Sequence, residues 1–251
     1  MLNDELIAAL LTITEDAGQA ILAVYDEPVE LTVKADESPL TQADRASHRL
    51  IEQRLQALTP QWPVVSEESD ENQKAQRPQL AVYWLVDPLD GTKEFIKRNG
   101  EFTVNIALIV NGCAVFGVVG VPVQNKLYWG GKEYGCWLKD SSGIRRLTAE
   151  KSKQALLRVV GSRSHVNAET AEYLRKLGEH ELLSVGSSLK FCLLAEGKAD
   201  LYPRLGPTCE WDTAAAQAVL EGAGGKVETL EGEPLRYSKP DVLNPWFIAS
   251  V

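Results

Sequence analysis

Asp87-Pro88-Leu89-Asp90-Gly91-Thr92 places two carboxylates three residues apart, directly after the apolar run Ala81-Val82-Tyr83-Trp84-Leu85-Val86. An apolar run of that length reads as a buried strand. Its carboxyl end is where α/β and related folds place their sites. Pro88 stiffens the turn, and Gly91 permits a backbone conformation or close approach denied to other residues. Two carboxylates brought to one point repel each other, and a divalent cation removes that cost. The donors are oxygens, with no histidine or thiolate among them, which points to Mg²⁺ or Mn²⁺. Taken alone, the hexapeptide also reads as an Asx-capped Asp-Pro turn.

Two further acidic groups weigh against the plain turn. Ser66-Glu67-Glu68 follows Val64-Val65, and Glu210-Trp211-Asp212-Thr213-Ala214-Ala215 opens an alanine-rich helical segment. Singly, a Glu-Glu pair reads as a solvated face and a Trp-Asp as a helix cap. Together with the Asp87 turn they read as one acidic centre. Asp44 lies in the first turn of a helix that Thr41 would cap, where the helix dipole keeps a carboxylate ionised. Without further context it is also explained as a helix-terminal charge.

These residues need a scaffold. The chain has 251 residues, one to two domains at ~150 residues each. That length buries ~70–75% of the unfolded surface without disulfides or structural metal. Hydrophobic residues are 44% and charged residues 24%, which excludes disordered, collagen-like and coiled-coil chains. With Lys+Arg 26 and Asp+Glu 35, the net charge is −9. So acidic a surface argues against sequence-independent nucleic-acid binding and against docking on anionic lipid. A phosphorylated metabolite would need a local cation. Cys113, Cys136, Cys192 and Cys209 show no C-x-x-C spacing, so neither a thiolate zinc site nor a disulfide framework is expected. The start Met1-Leu2-Asn3-Asp4-Glu5 lacks the basic flank of a signal peptide, and no apolar run reaches 18 residues, so the expectation is a soluble cytoplasmic protein.

The pattern predicts helices over Leu2–Tyr25, ended by Pro28, and from Thr41 through Leu58, with Ala43, Leu50, Ile51, Leu55 and Leu58 inward. Val29–Val33 reads as a short strand, Ser38–Thr41 as a turn and Ser66–Pro78 as a loop. Strands follow at Ala81–Val86, Phe102–Val110, Cys113–Val121, Lys126–Trp129 and Cys136–Leu138, with a hairpin at Asn111-Gly112. Beyond Arg158 the pattern alternates: strands at Arg158–Val160, Leu182–Val185, Asp200–Tyr202 and Trp246–Val251, and helices at Glu169–Leu177, Ser188–Ala195 and Asp212–Leu220. The charged stretch Thr148–Gln154 marks a lobe boundary. Residues 1–150 then form an α+β lobe with helices on an antiparallel sheet, and residues 151–251 an α/β lobe. There are no internal repeats.

Glu67-Glu68, Asp87-Pro88-Leu89-Asp90-Gly91-Thr92 and Trp211-Asp212-Thr213-Ala214-Ala215 resemble, in order and spacing, the motifs of the inositol monophosphatase-like, Mg²⁺-dependent, lithium-sensitive phosphatases. The resemblance covers essentially the whole chain. Tyr83–Ala107, Ser162-Arg163-Ser164-His165, Gly186-Ser187-Ser188-Leu189-Lys190-Phe191 and Leu201-Tyr202-Pro203-Arg204 are similar to the 3'(2'),5'-bisphosphate nucleotidase branch of that family. Those enzymes hydrolyse 3'-phosphoadenosine 5'-phosphate to AMP and phosphate, clearing the by-product of sulfate activation; the 5'-phosphosulfate form of the nucleotide is a second substrate candidate.

The resemblance implies a layered α-β-α-β-α sandwich. It implies on the order of two or three Mg²⁺ ions, with Mn²⁺ as a substitute. One would sit on Glu67, Asp87 and the Leu89 carbonyl, and another on Asp87, Asp90 and Asp212. Thr92 and Asp44 would orient and deprotonate water, with Glu68 in support. Backbone amides of Gly91 and Thr92 would meet the scissile phosphate. Ser162, His165, Gly186 and Lys190, in loops after the strands of the second lobe, would form the nucleotide side, with Lys190 and Arg204 near phosphate. Read from residue type alone, Arg204 is also a surface charge, His165 a capped loop residue and Tyr202 a core side chain. Cys209 and Glu210 receive no role. An inositol or sugar monophosphatase is the rival within the class, and a non-catalytic nucleotide or cation sensor the rival outside it. The sequence leaves monomer or homodimer open, and it encodes no peripheral attachment to the inner membrane.

Overall fold

The structure, a computed structural model, describes residues 2–28, 31–33, 39–150, 156–163 and 167–251. Helix α1 (Asp4–Leu22) is capped by Asn3, whose side chain accepts from the Leu6 amide. A two-stranded ribbon, β1 (Leu31–Val33) with β2 (Pro39–Thr41), leads into α2 (Gln42–Leu58). The expected turn at Pro39 is therefore strand, in a two-stranded ribbon whose outer edges need no amide there. Thr41 caps α2, and Asp44 closes a capping box by accepting from the Thr41 amide. Leu58, expected inward, is 37% exposed because it ends the last turn.

The main sheet has seven strands in the order β3 (Val64–Ser66), β4 (Val82–Asp90), β5 (Thr103–Val110), β6 (Cys113–Val121), β7 (Lys126–Gly131), β8 (Gly135–Asp140) and β9 (Gly143–Leu147). Only β3 and β4 run parallel; the rest is an antiparallel meander. Asn111 and Gly112 both take positive φ, 49° and 74°, at the β5–β6 hairpin, as a two-residue primed turn requires. The expected loop Ser66–Pro78 contains a short helix, α3 (Glu71–Gln76), capped reciprocally by Asp70 and Gln73. A helix α4 (Thr92–Ile96) follows β4.

Strand β4 does not stop at Asp87-Pro88. Asp87 pairs with Asn105 and Asp90 with Thr103, so β4 takes three steps where β5 takes two. That extra residue is a bulge. In a regular strand, residues three apart point to opposite faces. The bulge turns Asp87 and Asp90 to the same face, as Asn105 and Thr103 are.

After Leu147 the chain changes sheets. The second sheet orders β11 (His180–Val185), β10 (Leu157–Ser162), β12 (Leu201–Arg204), β14 (Phe247–Ser250) and β13 (Lys226–Thr229). Strand β10 runs parallel to β11 and β12, and β14 antiparallel to β12 and β13. The helices here are α5 (Ala168–Leu177), α6 (Leu189–Ala195) and α7 (Ala214–Ala223). Strands β9 and β13 were not expected. The first is exposed along nearly its whole length, so it shows no alternation to read.

Alternation on β4 and β5 sorts the layers. Trp84, Val86, Ile106 and Leu108 pack with Leu10, Ile13 and Ile51 of α1 and α2. Tyr83, Leu85, Ala107 and Ile109 pack with α6, α7 and the second sheet's Val160, Phe247 and Ala249. Helix α5 lies against β12 on the far side. The order is α-β-α-β-α, as expected, and the second core cluster is continuous between the sheets. Helix α7 approaches the meander very closely: a Cβ on Gly117 would lie 2.1 Å from the Ala215 carbonyl oxygen.

Candidate functional site

The carboxyl ends of β3, β4, β10, β11 and β12 open on one cavity of about 250 Å³. Asp87 and Asp90 come from the bulge of β4. Asp212 comes from the 3₁₀ turn Glu210–Asp212 that precedes α7, so the helix expected to begin at Asp212 begins at Ala214 instead. One oxygen from each of Asp87, Asp90 and Asp212 lies within 4.8 Å of the others. Glu67, whose amide donates to the Val86 carbonyl at 3.0 Å, lines the same cavity with Leu89, Gly91 and Thr92.

The electrostatics follow from burial. Asp87 is 1% exposed, and burial, then the charges of Glu67, Asp90 and Asp212, raise its carboxyl well above the usual range. Asp212 is raised likewise, by burial and then by Asp90 and Glu67. Asp90 is pushed up to about 6, chiefly by burial, against the pull of Lys190 and the Ser188 amide. Three carboxylates with raised proton affinity, gathered beside Glu67, are costly as bare charges and a good arrangement for a divalent cation. The donor set thus fits an oxygen-ligated metal.

Each carboxylate is held. Asp87 Oδ1 accepts from the Leu89 amide at 3.1 Å. Asp90 Oδ2 accepts from the Ser188 amide at 2.6 Å and from Thr103 and Asn105 at 3.4 Å. The Ser188 hydroxyl lies 2.8 Å from both Thr103 Oγ1 and Asn105 Oδ1. Sequence reasoning missed this support. Its signal was there: Thr103 and Asn105 are polar at alternate positions of an otherwise apolar strand.

Thr92 Oγ1 donates to Asp44 Oδ1 at 3.3 Å and to the Leu89 carbonyl at 3.4 Å. Asp44 is 2% exposed, and its other oxygen accepts from the Thr41 amide and hydroxyl. Ser47 on α2 donates to the Pro88 carbonyl at 2.7 Å, tying that helix to the bulge. Gly91 takes φ +93 as α4 begins. Glu68 is half-buried beside Glu67 and does not line the cavity.

Ser162, Gly186, Lys190 and Arg204 line the same cavity. Ser162 ends β10 and Arg204 ends β12. Lys190 lies in α6 rather than in a loop. Its ammonium donates to the Val185 carbonyl at 3.3 Å and the Ser187 carbonyl at 2.5 Å. Burial lowers it to about 8, opposed by Asp90. Arg204 is buried; Nη2 donates to the Pro207 carbonyl at 2.7 Å, while Nε has no partner among the described residues. Tyr202 is both core and wall: it packs on Phe191 and Phe247 and lines the cavity. His165 lies outside the described residues.

The chain is similar to known proteins along nearly its whole length. The profile described as "Inositol monophosphatase family" matches residues 2–246. A 3'(2'),5'-bisphosphate nucleotidase CysQ of Escherichia coli (strain K12) is 51% identical over 242 residues, 95% of this chain and 97% of that protein. The 3'(2'),5'-bisphosphate nucleotidase CysQ of Haemophilus influenzae is 34% identical over 98% of this chain and 93% of its own. Among solved structures, CysQ from Bacteroides thetaiotaomicron superposes with a TM-score of 0.84 at 42% identity, covering 97% of this chain and 96% of that one. An inositol monophosphatase of Thermotoga maritima has TM-score 0.79 at 21% identity, a likeness of fold alone.

Proposed function

The chain belongs to the inositol monophosphatase family, and from that premise we propose that it is a Mg²⁺-dependent 3'(2'),5'-bisphosphate nucleotidase, hydrolysing the 3'-phosphate of adenosine 3',5'-bisphosphate to AMP and phosphate. One observation supports this most: a single cavity is lined both by the carboxylates and by the cations Lys190 and Arg204. A metal-bound bisphosphate needs both kinds of group. The buried, unpartnered Nε of Arg204 suits a second anionic group, since a buried donor left unpaired is costly. The named activity of relatives at 51% identity supports the same reading.

Glu67, Asp87, the Leu89 carbonyl, Asp90 and Asp212 would hold the metal. When bound there, divalent cations would acidify a water and offset charge on the phosphate oxygens. The chain's own groups do the rest. Thr92 gives its hydroxyl hydrogen to Asp44, which leaves its oxygen free to accept a proton from a nucleophilic water. Asp44 in turn receives the hydroxyl proton. The amides of Gly91 and Thr92 face the phosphate, though α4 spans only Thr92–Ile96, so its dipole adds little. Lys190 and Arg204 bind the second phosphate, with Ser162 and Gly186 beside the nucleoside. Residues 1–150 form the lobe that supplies Glu67, Asp87 and Asp90, and residues 151–251 the substrate lobe, which also lends Asp212. The enzyme is cytoplasmic in this reading.

The test is phosphate release from adenosine 3',5'-bisphosphate against inositol 1-phosphate, with Mg²⁺ and with chelator. Chelator-sensitive release chiefly from the nucleotide is expected. Release chiefly from inositol phosphate would overturn the substrate assignment and keep the metal centre. Metal binding without release from either would make the chain a sensor.

A further inference from the structure

Glu210 is 0% exposed and touches no part of the cavity, yet its carboxylate is saturated with donors. Oε1 accepts from the Lys239 amide at 3.0 Å and the Lys239 ammonium at 2.6 Å. Oε2 accepts from Arg77 Nε at 2.7 Å and the Ser238 amide at 3.1 Å. Arg77, 1% exposed, also donates to the carbonyls of Lys74 at 3.0 Å and Lys239 at 2.6 Å. Buried charges of this kind persist only when paired and fully hydrogen-bonded.

The position of this cluster gives it a consequence. Arg77 lies in the segment between β3 and β4 that opens with Glu67 and Glu68, at the start of the 3₁₀ turn Arg77–Gln79. Glu210 begins the 3₁₀ turn that ends with Asp212. One ion pair therefore joins the segment bearing Glu67 to the turn bearing Asp212. The turn is tied on its other side too. Cys209 donates its amide to Asp212 Oδ2 at 2.8 Å, and Asn244 donates to the Cys209 carbonyl at 2.7 Å. Asp212 thus takes its aim from a backbone turn whose first residue is anchored by Arg77 and Lys239. Carboxylates that raise one another's proton affinity push apart unless something outside the site holds them.

We propose that Glu210, through Arg77 and Lys239, is a positioning residue that sets Asp212 against Glu67 for metal binding; this rests on the reading of the acidic cluster as a metal centre. Groups that orient metal ligands typically change affinity or activity ~10–100-fold when altered. The experiment is a titration of the full chain with Mn²⁺, without substrate, read by electron paramagnetic resonance, with folding followed by circular dichroism. Glu210→Gln keeps the shape and loses the charge, and its Mn²⁺ dissociation constant is expected to rise about tenfold. Glu196→Gln is the control: it removes a carboxylate held by Tyr128, Lys126 and Lys198 and none of the acidic cluster, and should leave Mn²⁺ affinity unchanged. If Glu210→Gln does not fold, Arg77→Lys, which keeps the charge and loses the guanidinium fork, is judged by the same titration. Affinity within twofold of wild type in the folded variant, or an equal loss in Glu196→Gln, overturns the inference. If wild type binds no Mn²⁺, or Asp212→Asn binds it as tightly as wild type, the metal reading itself falls and the inference with it.

Discussion

Asp90 meets the cavity through one oxygen and the fold through several donors, so its two functions can be separated. Asp90→Asn keeps the side-chain volume and removes the charge. We expect phosphatase activity to fall by more than about 100-fold, beyond the ~10–100-fold typical of groups that only support metal ligands, with an unchanged far-ultraviolet spectrum. Wild-type turnover at saturating Mg²⁺ would refute the assignment. Lys190, a buried cation, lines the same cavity. Lys190→Ala should raise KM for the bisphosphate at least about tenfold more than for a simple nucleoside monophosphate, the worth of one charge-assisted hydrogen bond. Steady-state kinetics on both substrates decides it, and equal changes would return Lys190 to the structural task of holding the Val185 and Ser187 carbonyls. Asp44, Thr92 and the acidic residues were all legible as residue types. Thr103, Asn105 and Ser188 were not assigned, because what they do depends on a partner strand and helix brought to them.

Elements explain why the residues meet. The bulge in β4 converts a spacing of three into a shared face, and Ser47 of α2 fastens the bulge from one side. The fit of α7 on the meander fastens Asp212 from the other. Gly117 lies where a methyl would meet the Ala215 carbonyl at 2.1 Å, backbone against backbone, with no flexible side chain to yield. Gly117→Ala should therefore destabilise the fold by about 1–3 kcal/mol or more, seen as a lower urea midpoint with unchanged m-value. A variant as stable as wild type would show that α7 can lift from the sheet at no cost. Such contacts are invisible in sequence, where Gly117 reads as one more small residue in a strand.

For the whole molecule, the acidic centre makes stability depend on pH and metal together. Asp87, Asp90 and Asp212 all hold their protons more tightly folded than unfolded. Their contribution is then fully present below an unfolded carboxyl value of ~3.9 and is lost as pH rises through about 6 for Asp90 and through the raised values of the other two. In metal-free protein, thermal stability should decline across this window, less steeply in Asp90→Asn. Because a cation replaces the protons, added Mg²⁺ should raise the melting temperature more at pH 7.5 than at pH 5; calorimetry with an equal gain at both would contradict a carboxylate metal centre. In the proposed reading, a net charge of −9 and an anionic substrate would be reconciled locally, by Lys190, Arg204 and a cation held at the acidic centre.

Local chemistry was enough to mark most of the elements. Thr41 before α2, Asn111-Gly112 between β5 and β6, and the apolar runs of β4 to β6 each carry their own cap, turn or period, and these act over a few residues. The motif residues pointed to an oxygen-ligated metal for the same reason, and the phosphatase reading came from their resemblance to a family. What lay beyond was decided by contacts between distant segments. The bulge at Asp87–Asp90 exists only against β5, and Arg77 and Glu210 look like ordinary charges until the fold buries them together. Lys190 becomes part of a wall only because α6 is carried between two sheets. Periodicity records which way a side chain faces; only packing decides what it faces.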